Sequence, residues 1–66
     1  MRNSVLVVVA DDHPLYRKGL VSALREDKGI DVLAEAASGD QALSHIREHC
    51  PDIAILDAVP RLWQRS

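Results

Sequence analysis

The chain has a single cysteine, Cys50. No internal disulfide can form, and a lone thiol suits a reducing cytosol. No apolar run approaches the roughly 20 residues that a membrane span needs. A cytoplasmic location without membrane contact is therefore expected. A basic excess is also lacking: 8 Lys and Arg stand against 10 Asp and Glu, for a net charge of −2. The positive face that usually grips nucleic acid is excluded, so no direct nucleic-acid binding by this chain is expected. Arg2 is followed by a short apolar run, but the run stops at Asp11 without a small-residue cleavage site. That reads as a buried strand and not as a signal peptide. There is no repeat, no low-complexity tract and no G-x-G-x-x-G dinucleotide fingerprint. At 66 residues the chain is one domain at most. Chains of this size bury only about 60% of their unfolded surface.

What is present is organised around Val5-Leu-Val-Val-Val-Ala10, followed by Asp11-Asp12-His13-Pro14. An unbroken apolar run reads as a strand covered on both faces. Pro14 suits the first position of a helix, where its missing N–H costs nothing. The spacing predicts a helix near 14–27, with Tyr16, Leu20, Ala23, Leu24 and Asp27 on one face beside Gly19. Arg17, Lys18, Arg25 and Glu26 fall mostly off that face, and Gly29 is expected to end the helix. Residues 31–36 read as a second strand. Ser38 and Gln41 form a capping box for a helix near 39–49. Its apolar stripe is Ala42, Leu43, Ile46 and Cys50, and Pro51 stops it. A third strand over 53–57 ends in Asp57. The order β-α-β-α-β with short links predicts an α/β fold with a parallel sheet and right-handed crossovers. Residues 58–66 show no period and no evident place in that sheet. From about Val59 on the chain is expected to be unpaired and mobile.

Acids end the first strand (Asp11, Asp12) and the third (Asp57). In the flavodoxin-like strand order 2-1-3 those strands are neighbours, about 4.8 Å apart. The three carboxylates are therefore expected to converge. Clustered like charges repel unless a cation neutralises them. Mg²⁺ suits such oxygen donors and often bridges carboxylates to a phosphate. A carboxylate beside it can attack phosphorus to give an aspartyl phosphate. One acid at a strand end is an ordinary polar residue. Three acids, at strand ends that should be adjacent, favour a site.

The stretch from Val5 through Ala10-Asp-Asp-His-Pro-Leu-Tyr-Arg-Lys-Gly-Leu20, with Pro51-Asp-Ile-Ala-Ile-Leu-Asp57, resembles the receiver domain of a two-component response regulator. The Asp-Asp-His-Pro and Arg-Lys-Gly-Leu wording is similar to the subfamily joined to a LuxR-type helix-turn-helix output domain. The resemblance covers about Ser4 to Asp57. It implies the N-terminal half of a CheY-like doubly wound sheet, with residues 1–58 as a partial receiver domain and 59–66 as a divergent tail. It implies Asp57 as phosphoacceptor, Asp12 as a direct Mg²⁺ ligand, and Asp11 as a helper, often through water. It implies a histidine kinase as phosphate donor. The function expected is that of a switch, not an enzyme, controlling a DNA-binding output domain that this chain does not contain.

Asp57-Ala-Val-Pro60 departs from the family's usual Asp-x-x-Met-Pro and following glycine. The metal-binding carbonyl two residues after the phosphoacceptor would fall on Val59. The family's phosphoryl-contacting Ser or Thr on strand four and Lys on strand five have no counterpart here. A frameshift, an early stop and a genuine short variant all accommodate this. Without a fourth strand, the far edge of strand three would be open and would favour self-association. Two rival readings stay open: a non-signalling fragment that competes for a kinase, and a small metal-dependent phosphoryl-transfer enzyme.

Other signals read as ordinary. His45-Ile-Arg-Glu-His49 matches the H-x-x-E-H wording of a metalloprotease family, but a solvated helix face accounts for it better. His13 reads as part of the helix start, since Mg²⁺ prefers oxygen. Cys50 reads as a small apolar residue at a helix end. Arg61, Trp63 and Arg65 are explained as well by a loose tail as by a contact surface.

Overall fold

The structure is a computed structural model that describes residues 4–56 and the backbone of 61–64. Six elements follow one another: β1 (Val5–Ala10), α1 (Pro14–Arg25), β2 (Ile30–Ala36), α2 (Gly39–His49), β3 (Ile53–Leu56) and β4 (Arg61–Gln64). The sheet order is β2-β1-β3-β4. β1 is parallel to β2 and to β3, as the apolar runs and crossover rule require. Val8 and Val9 are fully buried, so the central strand is covered on both faces.

The two faces are packed differently. On one, Val7, Val9 and Val21 form a cluster with Leu20, Leu24, Ile30, Val32, Ile53 and Ile55. On the other, Ala10, Ala36 and Ala42 pack with Leu56. Helix α1 covers the first face and α2 the second. The α1 face runs through Arg17, Leu20, Val21 and Leu24, at helical spacing. This corrects the phase expected from sequence: Tyr16 is 63% exposed and Ala23 is exposed. Val21, not Tyr16, meets the β1 valines, and Arg17 faces inward with it.

A register shift in β2 moves side chains between faces. Val7 pairs with Val32, but Val8 pairs with Ala34, so Leu33 is an extra residue. One inserted residue exchanges the faces of everything beyond it. Ile30 and Val32 therefore pack on the α1 side, while Ala36 packs on the α2 side. Glu35 is turned toward α1, where it meets Arg17 and Arg25.

The ends of the helices follow their local chemistry. Ser38 Oγ accepts from the Gln41 amide at 3.2 Å, and Gln41 Oε1 accepts from the Ala37 amide at 2.9 Å. That is the expected capping box, with its return bond one residue further out. Cys50 closes α2 in the left-handed region at φ 49°, and its amide donates to the Ile46 carbonyl. Its side chain is exposed, while Pro51 behind it is fully buried. Helix α1 ends at Arg25, ahead of Gly29. Gly29 instead donates to Asp27 Oδ1 at 2.8 Å, and its carbonyl accepts from Val5.

The tail is a second correction. Arg61–Gln64 forms β4, antiparallel to β3, with Ile53 opposite Gln64 and Leu56 opposite Arg61. The sheet is therefore mixed, and residues 61–64 have a regular partner on the edge of β3 that was expected to be open. Left to itself, the far side of β3 would carry unpaired backbone donors and acceptors. The next segment of the same chain satisfies them, although Arg61-Leu-Trp-Gln64 has too short a pattern to announce a strand.

Candidate functional site

The site is built at the carboxyl end of β1. Ladder pairing continues one residue past the strand, since the Asp11 amide donates to the Ala36 carbonyl at 3.0 Å. This fixes Asp11 as the last held residue before the chain turns into α1. Its side chain is 2% exposed. Oδ1 accepts from the His13 amide at 2.7 Å, a local turn that sets up the helix start. Oδ2 is buried and has no hydrogen-bond partner among the described residues. A buried carboxylate oxygen left unpaired is costly, and it is the feature a bound cation would satisfy.

Asp12, by contrast, is solvent-facing, with its side chain 66% exposed. His13 joins the two acids: its Nδ1 lies 3.1 Å from Asp11 Oδ1 and 2.8 Å from Asp12 Oδ1. Ligand atoms of Asp11, Asp12 and His13 fall within 4.8 Å of one another. His13 is the N-cap of α1, and its carbonyl accepts from the Arg17 amide. Its expected place at the helix start is as found, and its bridging of the two carboxylates was not anticipated.

Arg17 and Glu35 were missed by the sequence reading. Arg17 donates from Nη1 to the Asp11 carbonyl at 2.7 Å, and its Nε lies 3.4 Å from Glu35 Oε1. The guanidinium thus ties α1, the end of β1 and β2 together at the acidic site. The available signal was the i, i+3, i+4 relation of Arg17 to Leu20 and Val21. Glu35 was legible only with the β2 register shift in hand.

Asp57 and Val59, the expected phosphoacceptor and carbonyl ligand, lie outside the described residues, as does Arg65. Leu56, one residue before Asp57, pairs with Ala10, one residue before Asp11.

The response regulator receiver domain family matches residues 7–60. The chain belongs to that family. It is 51% identical over 53 residues to the transcriptional regulatory protein NarL of Mycobacterium tuberculosis, covering 80% of this chain and 24% of that protein. It is 46% identical over 59 residues to protein-glutamate methylesterase/protein-glutamine glutaminase 1 of Oleidesulfovibrio alaskensis, covering 88% of this chain and 16% of that protein. The fold superposes on the signal receiver domain of NarL from M. tuberculosis with a TM-score of 0.81 and 49% identity, covering 83% of this chain and 44% of that one. The chain spans about a quarter of the length of the curated NarL relatives it matches. The receiver reading and its β2-β1-β3 core are as the sequence led us to expect. No helix among the described residues is long and apolar enough to cross a membrane.

Proposed function

We propose that this receiver chain carries the phosphoryl-accepting half of a two-component switch, with Asp57 as acceptor and Asp11, Asp12 and Asp57 as the Mg²⁺ ligands. The observation that carries the reading is the buried Asp11 carboxylate, whose Oδ2 has no partner among the described residues. Oxygen donors in this cluster match what Mg²⁺ takes. Bound there, Mg²⁺ would offset negative charge on the incoming phosphoryl group. The pairing of Leu56, the residue before Asp57, with Ala10, the residue before Asp11, supports the reading.

The residues divide the work. Asp11 holds a fixed carboxylate, because its amide and Oδ1 are both engaged. Asp12 and His13 face solvent, where a partner can reach them. A carboxylate oxygen of Asp57 attacks phosphorus, and the O–P bond forms as the P–N bond of a phosphohistidine breaks. The imidazole leaves with the electron pair and takes a proton from water. Leu15 and Tyr16, 86% and 63% exposed, lie beside the site at the start of α1 and offer apolar contact to a histidine kinase. We place the chain in the cytoplasm, as a switch element and not an enzyme. In the whole protein it would control a DNA-binding output domain. Residues 1–58 constitute the receiver portion in this reading, and 59–66 diverge from the family pattern.

The test is incubation of the 66-residue chain with a small phosphodonor and Mg²⁺, beside Asp57→Asn. Acid-stable, base-labile label is expected in the parent chain and absent from the variant. Yield should be well below stoichiometric, because the family's hydroxyl and lysine are not supplied, and single electrostatic donors are worth about 10²–10³ in rate. Label retained in Asp57→Asn would refute the assignment.

A further inference from the structure

His45, Glu48 and His49 take no part in the acidic site. They sit on α2 at i, i+3 and i+4, so they share one face of the helix. Their ligand atoms lie within 4.8 Å of one another. The two imidazoles are stacked, with centroids 5.8 Å apart and planes inclined by 29°. His45 is half-buried, and its Nδ1 is shielded without a hydrogen-bond partner among the described residues. Glu48 and His49 are exposed. A solvated helix face accounts for the spacing. It does not account for the orphaned ring nitrogen, since buried polar atoms ordinarily find a partner.

The backbone under these residues is held in place. Ser38 caps the start of α2, Ala42 is buried against the sheet, and the Cys50 amide closes the last turn. The ligands are therefore presented on a formed helix, which lowers the ordering cost of chelation.

We propose that His45, Glu48 and His49 form a second cation site, selective for a borderline divalent ion such as Zn²⁺ or Cu²⁺. Two imidazoles and one carboxylate are the donor set such ions take, whereas Mg²⁺ prefers all-oxygen surroundings. Three protein ligands leave one position of a tetrahedral ion open. The site thus differs from the cluster at the end of β1, which offers one imidazole, His13, and two carboxylates. It also stands on the helix that covers the opposite face of the sheet from α1. Occupancy would tether the last turns of α2 and stabilise the folded chain by mass action.

The test is calorimetric titration of Zn²⁺ into the full chain with Mg²⁺ in excess, so that the oxygen site is already engaged. One equivalent of Zn²⁺ should bind. His49→Asn, at an exposed position, should weaken binding on the order of 10²-fold through loss of chelation. His45→Asn should do the same, while Asp12→Asn should leave Zn²⁺ affinity unchanged. With Cu²⁺ as probe, electron paramagnetic resonance should report two nitrogen ligands in the parent chain and one in His49→Asn, a direct readout of the ligand set. Absence of Zn²⁺ uptake, unchanged affinity in His49→Asn, loss of uptake in Asp12→Asn, or an oxygen-only copper spectrum would each overturn the proposal.

Discussion

The two faces of the sheet are made of different material. Under α1 lie branched chains, with Val7, Val9 and Val21 at the centre and six partly buried aliphatic residues around them. Under α2 the cluster is Ala10, Ala36 and Ala42 with Leu56 beside them, and the fully buried Val8 and Ala54 point to the same side by strand alternation. Apolar stabilisation scales with area removed from water, so the α1 face carries more of it. Small residues let a helix approach the strands closely. On the α2 side they lie at the carboxyl ends of β1 and β2, next to Asp11. The α1 face carries the larger branched cluster, and the α2 face places its small residues nearest Asp11.

Substitutions can break this contrast. The largest effect is expected at Val9, which is fully buried on the α1 side. Val9→Ala removes two methyl-sized groups and leaves a cavity, for a loss of about 2 kcal/mol. In a chain of this size that is a large part of total stability, so urea denaturation should show a sharply lowered midpoint. Ala42→Leu tests the other face by overfilling it. A cost of about 1–3 kcal/mol is expected from strain, and weaker Mg²⁺ binding should accompany it because α2 is pushed from the strand ends. Equal stability and unchanged Mg²⁺ affinity in Ala42→Leu would mean that close approach on this side does not matter. The smallest effect is expected at Ser38, which caps α2 outside both clusters. Ser38→Ala should cost about 1 kcal/mol, read as a modest shift in thermal midpoint with Mg²⁺ affinity preserved.

The contrast between the faces was only partly legible in the sequence. Strand order, both helices and the Ser38–Gln41 cap follow from local pattern, and local pattern is what a sequence displays. The phase of α1 was misjudged because Tyr16 and Ala23 are apolar and Arg17 is charged. Arg17 nevertheless faces inward, because it donates to the Asp11 carbonyl and lies beside the Glu35 carboxylate. The extra residue at Leu33 leaves no mark in composition, yet it decides that Glu35 faces Arg17 and that Ala36 faces α2. β4 was missed for a related reason. Its pairing is fixed by the open edge of β3 and not by any periodicity of Arg61–Gln64. Of the site, only the place of Asp11 and Asp12 at a strand end could be read directly. The burial of Asp11 against the exposure of Asp12 could not, because adjacent residues at a strand end differ only in the way the chain turns.

The central claim is that the unpaired Asp11 oxygen is kept for a divalent cation, and Asp11→Asn tests it most directly. Asparagine keeps an oxygen for the His13 amide and removes the buried charge. Thermal unfolding of parent and variant, each with and without Mg²⁺, separates the two roles. Without Mg²⁺ the variant should be at least as stable as the parent, since a buried carboxylate with one unpartnered oxygen has been removed. With saturating Mg²⁺ the parent should gain up to about 3 kcal/mol at a hundredfold excess over Kd, and the variant should gain little. An equal Mg²⁺-dependent rise in Asp11→Asn would contradict the claim and place the cation elsewhere.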